Sequence, residues 1–490
     1  MGDSFDIKLI SRNSIIYGFS NALLRAAQLM LIPLYTHTLS INEYGLLATI
    51  LITVQILTII IDLGTRTGLI RFAIEYERKN LIGYLLGNAI LINIVGGSIV
   101  IGISLLFLLP FFQTILRSNN IHMYVFLACC AALSQCLYLN ILTLYRARNE
   151  GMKYMIASLS ALVLLVGVNL LFLLLLHKGI KGVLMAHIIT YGGLWLLLLL
   201  NVISKTGIRV SSQLQWKLLT FGFPLVFAMS SDYVTDVSIV YFLSYFTNLE
   251  QVAIYSLGYK VAQITAIALI IPFQLAYEPF VYANVNASWI RLAISKLLTY
   301  LILCFVFVAF GTAFLSRDLL RIIAPPNYSS AYFIILLILP GIAFRGVYYI
   351  GESLLNIKKK TFVTGATVTI ATILSVVSSY VLIPIWGIYG AIAVFNMTVI
   401  STAVALMILG MKTFPIQVDG RRLGIAGVLL ICFLLSVFFL REVNGFIYHC
   451  VIPIIAFVSI AFLYFVGFFN DEEKSLIRAV FRRIRLAISA

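Results

Sequence analysis

The fold is decided by stretches such as residues 154–176, which read YMIASLSALVLLVGVNLLFLLLL. This run carries no charged side chain, and a helix needs about 20 apolar residues to cross the hydrocarbon core of a membrane. A short basic link, HKGIKG at 177–182, leads into a second run, VLMAHIITYGGLWLLLLLNVI at 183–203. Continuous apolar runs without strict alternation are typical of helices and not of membrane barrel strands. The pair therefore predicts two spanning helices joined by a tight connection.

Runs of this kind recur along the whole chain. We predict fourteen spans, near residues 13–36, 44–65, 83–110, 121–145, 154–176, 181–203, 218–245, 251–276, 297–315, 329–355, 361–384, 387–411, 423–440 and 446–469. The composition agrees, because 62% of the 490 residues are hydrophobic, 11% are charged and the mean hydropathy is +1.05. Soluble domains are about 45–50% apolar and about 25% charged. The sequence predicts an all-α polytopic membrane protein.

The basic residues fix an orientation. With both termini in the cytoplasm, 25 of the 34 Lys and Arg residues fall in cytoplasmic segments, six fall outside and three lie within spans. This asymmetry follows the positive-inside rule and predicts a multi-pass membrane protein with both termini in the cytoplasm. The net charge of +16 is spread in short blocks between apolar runs, which excludes a nucleic-acid-binding face.

An internal repeat at an offset of 208 residues organises the chain. Residues 44–48 align with 252–256, and residues 179–182 align with 387–390. Six spans per copy predict two lobes with the same orientation, related by an axis along the membrane normal. The expected divisions are an N-terminal lobe at 1–210, a C-terminal lobe at 211–415, two extra spans at 416–470 and a basic amphipathic cytoplasmic tail at 471–490.

Three cations fall inside the spans, where charge is costly and usually faces a bundle interior or a wet cavity. These are Arg25, Lys260 and Arg345. We expect them to line a cavity between the lobes and to attract an anionic head group. A simple ion pair between Lys260 and Asp236 is the structural alternative.

Five carboxylates also fall within spans. Asp232 and Asp236 are four residues apart on one helix face, and we expect them to bind a coupling ion, H⁺ or Na⁺. Asp62, Glu278 and Glu352 lie near the cytoplasmic ends of their spans, where a gating or a structural role is expected.

Short motifs in a fixed order give the chain a family resemblance. It resembles the Wzx-type O-antigen, or polysaccharide-transport, branch of the multidrug/oligosaccharidyl-lipid/polysaccharide exporter superfamily, over essentially all fourteen predicted spans. The resemblance is carried by Arg12-Asn13 before a span with a central Arg25, Pro33-Leu34-Tyr35, Glu43-Tyr44-Gly45-Leu46, Asp62-Leu63-Gly64, Ala253-Ile254-Tyr255-Ser256 and residues 383–391, IPIWGIYGA. Intramembrane arginines are fewer than lipid II flippases would have.

This resemblance implies a flippase of the bacterial cytoplasmic (inner) membrane for an undecaprenyl-pyrophosphate-linked oligosaccharide, used in O-antigen or other surface polysaccharide biosynthesis. It also implies alternating access without a cofactor, contact with membrane lipids, and a polysaccharide polymerase and a chain-length regulator as candidate partners. An ion-coupled drug or cation exporter is the alternative. A membrane-embedded glycosyltransferase is disfavoured because the outer loops are only about 5–15 residues long, as in simple connections. We therefore expect a transporter and not an enzyme.

Overall fold

The computed structural model describes residues 29–79, 81–116, 120–207, 209–439 and 445–469. Within these ranges the chain is nearly all helical and contains no strand. Arg25, the beginning of the first predicted span and the predicted amphipathic tail at 471–490 lie outside the described residues.

The N-terminal half, up to residue 210, contains eight helices within the described residues. They are α1 (29–38), α2 (Ile41–Asp62), α3 (Thr65–Arg78), α4 (Ile82–Leu106), α5 (Leu109–Leu116), α6 (Ile121–Ala147), α7 (Gly151–Leu175) and α8 (Gly179–Ile203). Helices α7 and α8 each contain a π-helical turn, at Leu171–Leu175 and Ile188–Gly192.

The C-terminal half, residues 211–415, contains six helices, and two more follow it in the described part of the chain. They are α9 (Ser212–Phe246), α10 (Leu249–Ala283), α11 (Ile290–Ile323), α12 (Ala331–Ile357), α13 (Thr361–Trp386), α14 (Ile388–Thr413), α15 (Gly420–Phe439) and α16 (Gly445–Phe465).

Eleven helices in the described ranges are long and apolar enough to cross a membrane. They coincide with predicted spans 2 to 6 and 8 to 13. Predicted spans 1 and 14 overlap helical residues next to parts of the chain outside the description, and span 7 falls in α9, some of whose side chains lie outside it. The total of fourteen therefore stays a prediction. The largest difference is α11, which covers Ile290–Ile323 where the span was predicted at 297–315. Arg317 and Arg321, which follow the predicted span and count among the six basic residues expected outside, therefore lie in the last turns of this helix.

Helix α3 is an element that the hydropathy reading missed. Its sequence TRTGLIRFAIEYER is too polar to span a membrane, but Leu69, Phe72 and Ala73 are buried on one face. The chain turns into α3 through Leu63 and Gly64, which both have left-handed backbone angles, φ 48° and 77°. Short amphipathic helices with one polar face have too low a mean hydropathy to be recognised as membrane spans.

Small residues bring the two halves into contact at both ends of the bundle. We call the end that carries the α2–α3, α6–α7 and α12–α13 connections the basic end. There, a Cβ added to Gly222 of α9 would overlap the carbonyl oxygen of Gly64. At the opposite end, a Cβ on Gly45 of α2 would overlap the carbonyl oxygen of Leu249. Glycine is the residue that permits such backbone approach.

Candidate functional site

Three helices of the C-terminal half meet at a single phenolic hydroxyl. The hydroxyl of Tyr259 in α10 donates to the carboxylate of Asp236 in α9, with distances of 3.2 and 3.3 Å to the two oxygens. The same oxygen accepts a hydrogen bond of 3.3 Å from Nη2 of Arg345 in α12. Tyr259 thus links a carboxylate to a guanidinium, and it holds both at one place in the bundle.

An aromatic contact fixes the position of Tyr259. Its ring meets the ring of Phe395 in α14 edge-on, with centroids 5.3 Å apart, and stacks on Tyr255 at 6.0 Å. The guanidinium carbon of Arg345 lies 5.8 Å from the centroid of the same Phe395 ring. Edge-to-face and cation–π contacts favour one orientation of each group. The site therefore has a rigid wall.

A small cleft of about 50 Å³ opens beside this group, and we call it the Arg345 cleft. Four helices of the C-terminal half line it: α9, α12, α13 and α14. The lining residues are Thr235, Asp236, Arg345, Tyr348, Tyr349, Val368, Ala371, Thr372, Phe395, Thr398, Val399 and Thr402. Hydroxyl groups and aromatic rings dominate this lining, with one carboxylate and one guanidinium among them.

The cleft lies at middle depth in the bundle. Along their helices, Asp236 is roughly 15 Å from the end of α9 and Arg345 is roughly 18 Å from the end of α12. A hydrocarbon core is about 30 Å thick, so both charges would sit near its centre. The cost of such charges is reduced here because both share the hydroxyl of Tyr259.

Lys260 follows Tyr259 in the chain but faces the other half of the molecule. Successive residues of a helix are turned by about 100°. Its ammonium lies 5.4 Å from the ring centroid of Tyr44 in α2. Among the residues that the structure describes, Lys260 has no carboxylate partner, so the alternative ion pair with Asp236 does not form. Lys260 is half-buried and lies between the halves, roughly 16 Å from the start of α10.

The predicted binding residues therefore separate into different places. Arg345 lines the cleft in the C-terminal half, Lys260 faces the N-terminal half, and Arg25 lies outside the described residues. Asp232 lies in α9 one helical turn before Asp236, and its side chain is outside the description.

The position of the cleft also differs from the expectation. We predicted a cavity between two lobes, but every residue lining the Arg345 cleft belongs to the C-terminal half. Helix α2 contacts that half directly. Gly45 meets Leu249, and the hydroxyls of Thr53 and Tyr241 are 2.7 Å apart.

Asp62 has a structural partner at the basic end. Its carboxylate lies 3.2 Å from Nε of Arg66 and accepts hydrogen bonds from the hydroxyl of Thr65 and the backbone N–H of Arg66, at 2.9 and 3.2 Å. The amide nitrogen of Asn93 donates to the carbonyl oxygens of residues 61 and 62 at 2.8 and 3.2 Å. Asp62 therefore caps the start of α3 and stabilises the turn between α2 and α3.

Glu278 and Glu352 lie together near the basic end. Glu278 accepts a 3.3 Å hydrogen bond from Gln274, and both carboxylates are within electrostatic reach of Tyr282. The hydroxyls of Tyr277 and Ser353, one residue from each glutamate, are 2.9 Å apart. This contact joins α10 to α12 at the level of the two glutamates.

Sequence reasoning missed Tyr259 and the threonines of the cleft. Tyr259 gives no signal of its own, because tyrosine is common in membrane helices. Thr398 and Thr402 are four residues apart on α14 and so share a face. That spacing could have indicated a polar stripe, but it does not show which helix the stripe faces.

A family model described as "Polysaccharide biosynthesis protein" matches residues 10–283. No curated protein sequence matches the chain. Several solved structures match its fold.

One of these structures is described as "Lipid II flippase MurJ, inward closed conformation", with 12% identity and a TM-score of 0.69, over 92% of this chain and 98% of that one. An inward-facing multidrug resistance MATE family transporter of the MOP superfamily matches with 12% identity and a TM-score of 0.62, over 81% and 94%. A MOP superfamily transporter from Pyrococcus furiosus, described by the reverse polarity of its binding pocket, matches with 12% identity and a TM-score of 0.59, over 84% and 98%. At such identities the likeness shows a shared fold.

Proposed function

Because this chain belongs to the polysaccharide biosynthesis protein family, we propose that it is a flippase for a lipid-linked oligosaccharide. The substrate would be an undecaprenyl-pyrophosphate-linked repeat unit, moved from the inner to the outer leaflet of the bacterial cytoplasmic membrane. The product would feed O-antigen or another surface polysaccharide. Both termini would lie in the cytoplasm, at the basic end.

One observation carries this proposal. Lys260 places an ammonium at middle depth between the two halves, and no described carboxylate neutralises it. An isolated charge in this position is costly unless water or a ligand of opposite charge solvates it. A pyrophosphate offers that charge, and its oxygens accept charge-assisted hydrogen bonds from lysine. Arg25, which we expect at a similar depth in the first span, would add a second cation.

Alternating access would require the halves to separate at one end at a time. We propose the divisions 1–210, 211–415, 416–470 and 471–490 as the moving lobes, the two additional spans and the tail. The contact of Gly45 with the backbone near Ala253 supports this arrangement, since the two residues are 208 positions apart and so occupy equivalent places in the repeat. Equivalent residues meet each other where a two-fold axis passes between them.

An ion-coupled exporter of small molecules is the second candidate. The shared fold with MATE transporters and the carboxylate of Asp236 inside the Arg345 cleft favour it. Coupling to H⁺ or Na⁺ would also serve the flippase, and Asp232 and Asp236 are the residues we propose for it. Since Arg345 already brings positive charge to Asp236 through Tyr259, Asp232 is the better candidate for binding an ion.

The test is to locate the lipid-linked oligosaccharide in cells. We replace the chromosomal gene with wild type, Lys260→Ala, Lys260→Arg or Lys296→Ala, the last being an exposed lysine near the basic end of α11. We expect Lys260→Ala to insert normally but to leave the oligosaccharide in the inner leaflet and to reduce surface glycan. Lys260→Arg and Lys296→Ala should retain display. Normal surface glycan in a strain lacking the protein would reject the flippase in favour of the exporter.

A further inference from the structure

Two hydrogen bonds run between the halves in opposite directions at the end of the bundle opposite the basic end, which we call the outer end. The hydroxyl of Thr36, in the last turn of α1, donates to the carbonyl oxygen of Ile323 at the end of α11. The hydroxyl of Ser244, in the last turn of α9, donates to the carbonyl oxygen of Ile115 in α5. Both hydroxyl side chains are fully buried. Each half therefore gives one donor and one acceptor to the other.

These two bonds occupy equivalent places in the internal repeat. Ser244 and Ile323 stand 208 positions after Thr36 and Ile115, which is the offset that relates the two copies in the sequence. Helices α2 and α10, and helices α4 and α11, also begin 208 residues apart. A two-fold axis between the halves exchanges one bond for the other. The bonds therefore form a symmetric pair, and we call these four residues the paired latch.

The acceptors of the latch are carbonyl groups that their own helices leave unpaired. The last four carbonyl groups of an α-helix have no partner within the helix. Ile323 is the last residue of α11, and Ile115 is the last but one of α5. The carbonyl oxygen of Ile323 is also the one closest to the Thr36 hydroxyl, since those of Ile32 and Pro33 lie at 3.0 and 3.2 Å. Separation of the halves at this end breaks both bonds and lets water replace each partner.

The outer end also contains polar groups that closure leaves without partners. The rings of Tyr44 in α2 and Tyr328 in the α11–α12 connection meet edge-on across the halves, with centroids 5.8 Å apart. Both side chains are fully buried, and no residue in the described part of the chain hydrogen-bonds either hydroxyl. A buried hydroxyl without a partner favours the state in which water reaches it. Closure of the outer end therefore has a cost, which the hydrogen bonds of the latch oppose.

We propose that the paired latch holds the outer end shut, and that loss of its two hydrogen bonds opens this end while the basic end stays closed. The basic end is held by a different contact, between Gly64 and Gly222, which are not equivalent in the repeat. The two ends can therefore open separately. The proposal rests on the alternating access proposed above and not on the identity of the substrate.

The test measures distances at both ends of the bundle, in protein that lacks the six native cysteines and is reconstituted in lipid nanodiscs. Spin labels at Lys178 and Trp386 report the outer end, and labels at Lys153 and Thr361 report the basic end; all four positions are exposed. Each pair is 208 positions apart and so joins equivalent places in the two halves. Double electron–electron resonance gives the fraction of molecules with a long distance at each end. No substrate is added, so the result decides the latch whatever the transported molecule is.

The variant T36V/S244A removes both hydroxyls of the latch with little change in volume. The control T38V/S98A changes a threonine of α1 and a serine of α4 whose hydroxyls bond carbonyl oxygens of their own helices. We expect T36V/S244A to raise the ratio of open to closed outer ends about tenfold, with the basic-end distance unchanged. T36V and S244A alone should each raise this ratio about threefold, because the two bonds are equivalent. T38V/S98A should match wild type.

An unchanged outer distance in T36V/S244A, or the same change in T38V/S98A, would overturn the proposal. Longer distances at both ends of T36V/S244A would indicate a loosened bundle and would overturn it as well. A shift in only one of the two single variants would contradict the symmetric pair. If the double variant does not fold, the two single variants decide the question by the same distances.

Discussion

Nη2 of Arg345 donates a 3.3 Å hydrogen bond to the hydroxyl of Tyr259, although the two residues are 86 positions apart in the chain. The same hydroxyl donates to Asp236, so one oxygen joins α9, α10 and α12. This arrangement sets the shape of the Arg345 cleft. It also leaves Lys260, the next residue along α10, to face the other half.

Replacing Tyr259 with phenylalanine should reduce transport and lower the melting temperature, while the protein still folds. The ring contact with Phe395 remains, but Asp236 and Arg345 lose their shared hydroxyl. Removing one hydrogen-bond partner of a buried polar group costs about 1–3 kcal/mol. Surface glycan in a complementation assay and the melting temperature of the purified protein measure the two effects. Tyr84→Phe, in the stacked pair with Tyr76 at the basic end, is the control. Wild-type display by Tyr259→Phe would show that the bridge has no part in transport.

The double variant Lys260→Ala with Asp236→Asn should be as inactive as Lys260→Ala alone. If the two residues were a neutralising pair, removing both charges would restore an uncharged site. The structure places Lys260 against Tyr44 and Asp236 against Tyr259, so the two changes act independently. Complementation by the single and double variants decides this. Recovery of glycan display in the double variant would show that the pair forms in the working protein.

Gly222→Ala should destabilise the contact between the halves at the basic end. The added methyl would overlap the backbone of Gly64, and overpacking of this kind costs about 1–3 kcal/mol. Gly167→Ala is the matched control, because a Cβ at Gly167 has no atom within 4 Å. We expect Gly222→Ala to lower the melting temperature and Gly167→Ala to leave it unchanged. Identical melting curves would mean that the halves are not packed at Gly64 and Gly222 in the membrane.

A salt-sensitive contact between α3 and α9 should add to the packing of the two halves at the basic end. Lys217 of α9 lies 4.5 Å from the ring centroid of Phe72 and 4.0 Å from a carboxylate oxygen of Glu75 in α3. The pKa of Glu75 lies below its ordinary range because Lys79 donates a hydrogen bond to it and Lys217 lies near. Because this pKa is lowered, the stabilisation that ionised Glu75 contributes to the folded protein is complete above the ordinary pKa of a glutamate, about 4.3. It is lost as the pH falls below that value.

Cysteines at 75 and 217 remove this ion pair, so a cross-link between them tests only the packing of α3 on α9, and we expect it to form when the basic end is closed. Because Glu75 is exposed, the ion pair itself contributes little, and high salt should screen it. The measurement is the yield of the disulfide, formed spontaneously or with copper catalysis. The control is the yield from a second variant with cysteines at 75 and 296. Equal yields from both pairs would contradict the packing of α3 on α9.

The spans were predictable from the sequence, and their packing was not. Apolar runs located α2, α4, α6 to α8 and α10 to α15, because burial in lipid requires length and hydropathy alone. The bounds agree within a few residues except at α10 and α11, which extend further than predicted. Charges within predicted spans singled out Asp236 and Arg345 separately, and the structure brings both into one cleft, which the sequence did not predict. Hydropathy says nothing about which face of a lipid-exposed helix meets which neighbour. The separation of Tyr259 from Lys260, and the position of Thr372 and Thr402 at the cleft, were therefore out of reach.

The most direct measurement of the central claim is transport by the purified protein. Proteoliposomes are loaded with fluorescently labelled lipid-linked oligosaccharide, and a membrane-impermeant quencher reports how much has reached the outer leaflet over time. We predict that wild-type protein and Lys260→Arg move the lipid, and that Lys260→Ala, inserted to the same level, moves it at least about tenfold more slowly, as loss of a charge-assisted contact to the pyrophosphate requires. Equal rates for wild type and Lys260→Ala would contradict the claim that this mid-depth cation holds the head group.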